Sequence, residues 1–128
     1  MNYYISKTLT GGFDATIQHV MEALKAEGFG VLTDIDVRET LKKKLDTDWR
    51  PYRILGACNP PLAYQALRAE DKIGTMLPCN VIVQDIGGGK IEVATIDPAV
   101  AMAHLGNPEL TELAAVVRDK LEAVLARL

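Results

Sequence analysis

The stretch YRILGACNPP, residues 52–61, decides the fold of this chain, because it predicts a strand that runs directly into a helix. Tyr52–Cys58 is rich in apolar residues, as strands are, and alternate residues of a strand share a face. Asn59 is a good helix N-cap, and proline at the first helical positions loses no backbone hydrogen bond. The helix is predicted to end near Ala69. Gly56 indicates either a close backbone approach or a β-bulge in the strand.

The residues before this stretch predict a strand, a helix, a second strand and a short helix. Tyr3–Leu9 is the first predicted strand. A helix follows from Phe13, with apolar residues at helical spacing, and Gly28 supplies its C-terminal stop. Phe29–Val37 is the second predicted strand. The Lys-rich stretch Arg38–Leu45 is predicted as a short helix with a solvent-exposed face.

The residues after it predict a hairpin and a long closing helix. Asn80–Ile86 and Ile91–Ile96 are predicted strands, joined by a turn of three glycines at 87–89. A short turn of helix is expected within Ala99–His104. The last helix starts at Asn107, and its apolar positions follow the helical period over about 20 residues.

The order strand, helix, strand, helix, strand, helix, hairpin, helix predicts an α+β fold. We expect a mostly antiparallel sheet with helices packed on one face, in a single domain over residues 1–128. The other face of such an open sheet needs a cover. A ligand or a second copy of the chain would supply one, so a homodimer is expected from the architecture.

Composition excludes several classes of partner. The net charge is -3, so the chain has no broad positive field, and neither nucleic acid nor a membrane is an expected partner. The longest apolar stretches have a length of about ten residues, well under the roughly 20 that span a bilayer. The N-terminus lacks the pattern of a signal peptide. Two cysteines are too few for a disulfide framework, and we therefore expect a cytoplasmic protein.

The two cysteines are the residues most able to carry chemistry. Cys58 lies where a strand meets a helix N-terminus, a position that favours the thiolate form. The alternative is a small buried residue at a crowded strand end. Cys79 lies 21 positions later, and like Cys58 it is followed by asparagine. If the two strands run antiparallel, both thiols lie at the same edge of the sheet; if they run parallel, the thiols lie at opposite edges.

No metal site, cofactor site or catalytic constellation is predicted. A zinc site needs four ligands, usually in close pairs, and His19, His104 and the two cysteines form no such pair. The three glycines at 87–89 lack the Lys-Ser/Thr of a phosphate loop. Asp34 and Asp36 share a strand face and could bind a cation, although such a pair is more often exposed to solvent.

Five strings of sequence carry a resemblance to a known family. In chain order they are EGFGVL at 27–32, IDV at 35–37, YRILGACNP at 52–60, LPCNV at 77–81 and DP at 97–98. Together they closely resemble the bacterial and archaeal family called domain of unknown function 302. The resemblance implies an α+β fold similar to the TATA-box-binding-protein-like class, with a curved sheet, and usually a dimer. It does not imply DNA binding.

The same resemblance marks candidate site residues, because the family's signature strings contain them: Cys58, Asn59, Pro60, Cys79 and Asn80. The leading hypothesis is a small homodimeric domain with a thiol-redox or ligand-binding site around Cys58 and Cys79. One alternative is a non-enzymatic binding protein for an apolar small molecule, with the cysteines as packing residues. Another is a purely structural domain that self-associates.

Overall fold

Five strands and five α-helices form residues 2–128, the part of the chain that the computed structural model describes. A 3-10 helix at Asp71–Met76 precedes the fourth strand. The elements are β1 (Tyr4–Thr10), α1 (Phe13–Ala26), β2 (Gly30–Asp36), α2 (Val37–Leu45), β3 (Tyr52–Cys58), α3 (Pro60–Ala69), β4 (Cys79–Gly87), β5 (Lys90–Ile96), α4 (Pro98–Ala101) and α5 (Pro108–Ala126). The predicted α+β class and element order are confirmed.

The strands form one open sheet in the order β1-β5-β4-β3-β2, and every neighbouring pair is antiparallel. The hairpin β4–β5 turns through Gly87, Gly88 and Gly89, all with positive φ. Glycine adopts this left-handed region without the steric cost that a Cβ would add. The chain reverses there as the three glycines predict.

The hydrophobic core lies between one face of the sheet and the helices on that side. Strand residues that point to this face alternate with residues that point away, as in Leu55 and Ala57 of β3. Leu24 of α1 and Leu121 of α5 are fully buried against them. Each such side chain contributes about 1.5–3 kcal/mol by leaving water. No helix within residues 2–128 is long and apolar enough to cross a membrane.

Side-chain caps determine where the later helices begin. The Asn59 carboxamide oxygen accepts a hydrogen bond from the Leu62 amide at the start of α3. Asn107 accepts from the Glu109 amide at 3.0 Å at the start of α5, and its own amide group donates to the Ala69 carbonyl at the end of α3. Asn107 therefore caps the helix whose start the sequence predicts there, and it also joins two helices.

Gly56 lies where two other parts of the chain approach β3. A Cβ built at Gly56 would collide with the side-chain oxygen of Thr33 and would come within 2.8 Å of Pro78 Cγ. Thr33 is the Cα partner of Gly56 in β2, directly after an irregularity in the pairing between Val31 and Thr33. The predicted close approach at Gly56 is confirmed, and the bulge lies in the neighbouring strand.

Candidate functional site

The antiparallel pairing of β3 with β4 brings the two cysteines to the same edge of the sheet. Ala57 is the Cα partner of Cys79, so Cys58 lies one residue beyond that pair. Strand geometry then puts the Cα atoms of Cys58 and Cys79 about 6 Å apart. Both thiols are free. Of the two arrangements that the sequence left open, the chain adopts the one that makes the cysteines neighbours.

The two thiols have different surroundings. Cys79 is only 8% exposed and packs within the main core. Burial, together with the nearby charge of a Cys58 thiolate, raises the pKa of Cys79 to about 11. At neutral pH only about one Cys79 in ten thousand is then a thiolate, the form that reacts. Cys58 is half-buried at the start of α3.

An apolar pocket lies beside Cys58, between the end of β3, α3 and α5, with a volume of about 40 Å³. Its walls contain no charged side chain. Besides Cys58 and Asn59 they include Ala57, Leu62, Ala66, Met102, Leu113 and Val117. A water molecule needs roughly 10–15 Å³ of such space. The pocket therefore has room for a small apolar group.

Asn59 and Pro60 shape the entrance of α3. Asn59 lines the pocket and caps the helix, and its amide nitrogen would lie 3.0 Å from a Cβ at Gly28. Gly28 has a φ of +85° and ends α1, so the close approach of Asn59 adds a second reason for glycine there. Pro60 is exposed at the first position of α3 and does not line the pocket.

Asn80 lies on the opposite side of the sheet from the core. Its neighbours Cys79 and Val81 are buried, whereas Asn80 is exposed. The structure thus brings Cys58 and Asn59 together at the pocket, holds Cys79 in the adjoining core and separates Asn80 from both. Leu113 and Val117 also line the pocket. They were not predicted as site residues, because their helical spacing indicates only a buried face.

We call the sheet surface away from the helices the open face. It includes alternate residues of all five strands, among them Tyr4, Ser6, Thr8, Thr10, Thr33, Ile35, Tyr52, Ile54, Gly56, Asn80, Ile82, Gln84, Lys90, Glu92, Ala94 and Ile96. A groove of about 410 Å³ runs across it and includes Tyr3 beside Tyr4 in its lining. Burial is the main cause that raises the pKa of Tyr52, and electrostatic interactions with Tyr3 and Glu92 raise it further.

The other candidate ligands lie apart from one another. Asp34 accepts a hydrogen bond from Arg53 Nε at 2.7 Å, and this contact holds the pKa of Asp34 below its usual value. The Asp36 side chain instead caps α2 through the Glu39 amide. His19 and His104 are exposed. Among residues 2–128, no three His, Cys, Asp or Glu side chains lie close enough to hold a metal ion.

Comparisons with known proteins agree with this fold. The model of the family described as "Domain of unknown function DUF302" matches residues 5–128. The crystal structure of an uncharacterized conserved protein DUF302 from Bacillus stearothermophilus is similar, with 32% sequence identity and a TM-score of 0.91. The match covers 99% of this chain and 98% of that one. No curated protein matches the chain.

Proposed function

The chain belongs to the domain of unknown function DUF302 family, and from that premise we propose that it is a binding module whose site is the pocket at Cys58. The observation that carries this proposal is an apolar pocket at the place where β3 meets α3, with the half-buried Cys58 among the residues that line it. Its ligand is an apolar small molecule, or the apolar end of a larger one.

The size and walls of the pocket define the ligand class. About 40 Å³ admits a short alkyl group or a group of similar size. A charged group would lose its hydration without gaining a partner, because no charged side chain lines the pocket. The Cys58 thiol is a small, polarizable group with a weak hydrogen-bond donor, and it is compatible with an apolar neighbour.

The surroundings of Cys79 support binding over thiol-redox chemistry. A disulfide between Cys58 and Cys79 would release two protons and two electrons to an external oxidant, and exchange needs a thiolate. The raised pKa of Cys79 and its burial in the core keep that thiolate scarce. Cys79 is therefore better explained as a packing residue, and Cys58 as the thiol that a ligand meets. The predicted cytoplasmic location stays a prediction.

The first experiment titrates 1-hexanol into the protein and follows the methyl groups of Leu62, Met102 and Leu113 by NMR. We expect saturable shifts confined to these pocket residues. Ala63→Leu should fill the pocket from α3 and weaken hexanol binding at least about tenfold, because Ala63 lines it. The matched control is Ala115→Leu, an exposed alanine of α5 outside the pocket. Equal affinity in both variants, or no saturable shift in the wild type, would contradict the proposal.

The second experiment measures which thiol is accessible. Native protein is treated with iodoacetamide at neutral pH, and the modified cysteine is identified by peptide mass spectrometry. Cys58 should react and Cys79 should stay protected until the chain unfolds, because Cys79 is buried and largely protonated. Hexanol should slow the reaction at Cys58. If both thiols react only after denaturation, Cys58 is no part of a ligand site.

A further inference from the structure

The groove on the open face has one carboxylate in its lining, that of Glu92, and no basic side chain among the residues 2–128 that line it. Glu92 is half-buried, and its Oε1 atom accepts a hydrogen bond from the Gln84 amide nitrogen at 2.8 Å. Within the described part of the chain, Glu92 forms no salt bridge. An ionised carboxylate can accept several further hydrogen bonds, and those from a cation are the strongest. The groove is therefore electrostatically suited to a cation.

The strand register places an aromatic ring on the same row of the sheet as this carboxylate. Tyr52 is the Cα partner of Gln84, and Gln84 is the Cα partner of Glu92. Two strand spacings separate the Cα atoms of Tyr52 and Glu92, which is about 10 Å. After burial, Tyr3 and Glu92 are the groups that raise the pKa of Tyr52, so its hydroxyl lies near both. A group held between Tyr52 and Glu92 can contact the ring and the carboxylate together.

The rest of the groove is apolar and aromatic. Ile82 and the buried Ala94 are the next cross-strand pair, and they lie on β4 and β5 between Tyr52 of β3 and Tyr4 of β1. Tyr3 and Tyr4 pack edge to face, with ring centroids 5.1 Å apart. The groove volume of about 410 Å³ is within the range of small-molecule sites, roughly 300–1,000 Å³. The faces of aromatic rings attract cations, so the tyrosines and Glu92 favour the same kind of ligand.

Two basic side chains lie near the groove without lining it. Arg50 donates to the Gln84 carbonyl oxygen at 3.2 Å, and its guanidinium lies over the Trp49 ring at 4.4 Å from the centroid. Lys90 shares the open face with Glu92, two residues earlier on β5. The contact with Arg50 orients Gln84 so that its amide nitrogen faces Glu92. The surroundings therefore position the carboxylate without neutralising it through a salt bridge.

We propose that this groove binds an organic ammonium ion with an aromatic or other apolar body. The ammonium group donates to the Glu92 carboxylate beside the Tyr52 ring, and the body covers Ile82 and Ala94. An anion would be repelled by Glu92, and a neutral ligand would desolvate the carboxylate without pairing it. The site is independent of the pocket at Cys58, which lies on the helix side of the sheet.

Three probes that share a phenyl group and differ in charge test the proposal: 2-phenylethylamine, 2-phenylethanol and 3-phenylpropanoate. Each is titrated into the full chain at pH 7, and the methyl groups of Ile82 and Ala94 are followed by NMR. The amine should give saturable shifts at both residues. The alcohol should bind at least about tenfold more weakly, and the carboxylate should give no saturable shift.

Substitutions then separate the charge of the site from its shape. Glu92→Gln keeps the size of the side chain and should weaken the amine at least about tenfold while leaving the affinity for 2-phenylethanol unchanged. Glu112→Gln is the matched control, because it removes an exposed carboxylate of α5 outside the groove and should change neither affinity. Tyr52→Leu should weaken the amine, whereas Tyr52→Phe keeps the ring and should preserve amine binding.

Several outcomes would overturn the ammonium site. Equal affinity for the amine and the alcohol would make the groove a general apolar site, and an unchanged amine affinity in Glu92→Gln would remove the carboxylate from it. A wild type without saturable shifts, or amine binding that disappears as protein concentration is raised, would show that the groove is no free ligand site. If Glu92→Gln does not fold, the three probes on the wild type decide alone. Hexanol binding at the Cys58 pocket should be unaffected in every case.

Discussion

Cys58 and Cys79 occur in similar strings of sequence, each followed by asparagine, yet they have different chemical environments. Cys79 begins β4 and points into the core, where burial disfavours its thiolate. Cys58 ends β3 and contributes to a pocket wall. The surroundings differ because Cys58 lies one residue beyond the Ala57–Cys79 pair, where β3 ends and α3 begins.

The raised pKa of Cys79 makes the protein less stable at high pH. The pKa rises from its ordinary value of 9.0 to about 11, so the folded state holds the proton more tightly than the unfolded state. This stabilisation is fully present below pH 9 and is lost as the pH rises towards 11. The stability lost by pH 10.5 is about 2 kcal/mol.

Urea unfolding of wild type and Cys79→Ala at pH 7.5, 9 and 10.5 checks this prediction. The stability difference between the two proteins should shrink by about 2 kcal/mol over that range. Other groups that titrate there, such as lysines and tyrosines, are common to both proteins and cancel in the difference. A gap that stays constant with pH would show that burial does not perturb Cys79.

At the scale of elements, Asp97 joins the end of the sheet to the last helix. It is 5% exposed, and one carboxylate oxygen accepts hydrogen bonds from the amides of Ala99 and Val100 at the start of α4. The other oxygen accepts from Arg118 Nε of α5 at 2.9 Å. The sequence predicts that the strand ends at Asp97, but it contains no local signal for a partner 21 residues away.

Asp97→Asn should destabilise the protein by about 1–3 kcal/mol, measured by urea unfolding at pH 7. The carboxamide keeps one acceptor for the helix cap but removes the charge that pairs with Arg118. Because Arg118 is partly exposed, water compensates part of the loss. Asp119→Asn, an exposed neighbour on α5, is the control and should change stability by less than about 0.5 kcal/mol. Equal effects of the two substitutions would rule out a stabilising role for the Asp97 pair.

At the scale of the whole molecule, burial is distributed unevenly. The helices α1 and α5 contribute most of the buried residues opposite the sheet, whereas α2 has no buried residue. The charged side chains of α2 form exposed pairs, including Lys43 with Glu39, which contribute little to stability. The part of the chain around Val37–Leu45 is therefore held mainly by its own hydrogen bonds and its Asp36 cap.

Native-state hydrogen exchange should show that α2 is less stable against local opening than α5. Amides of α2 should exchange at least about a hundredfold faster than interior amides of α5, because α2 can open without exposing a buried face. Mass spectrometry of exchanged peptides at neutral pH measures both helices in one sample. If α2 and α5 show equal protection, the chain opens only as a unit and the inferred gradient is wrong.

Most of the fold follows from local patterns. Asn59 and Asn107 cap helices where the sequence predicts, and the three glycines at 87–89 turn the hairpin. Such features depend on residues close together in the chain, so they are readable before any tertiary structure is known. The order of the strands is not, since β1 pairs with β5 across the whole length of the domain.

The candidate site was predicted only in part, for the same reason. The thiol at Cys58 and the cap at Asn59 come from one short string, but the pocket walls also come from Met102 and from Leu113 on α5. Helical spacing shows that Leu113 is apolar and faces inward, without showing which neighbour it meets. The likeness to the TATA-box-binding-protein-like class stays a prediction.

The sequence by itself determined the α+β class, the element order and the helix starts, because these depend on short-range hydrogen bonding and periodicity. Only the tertiary structure decided that Cys58 and Cys79 are neighbours, that one faces a pocket and the other the core, and that one sheet face is left open. Pairing, burial and pocket walls are set by contacts between residues far apart in the chain. Packing of the whole molecule, rather than any single stretch, selects those contacts.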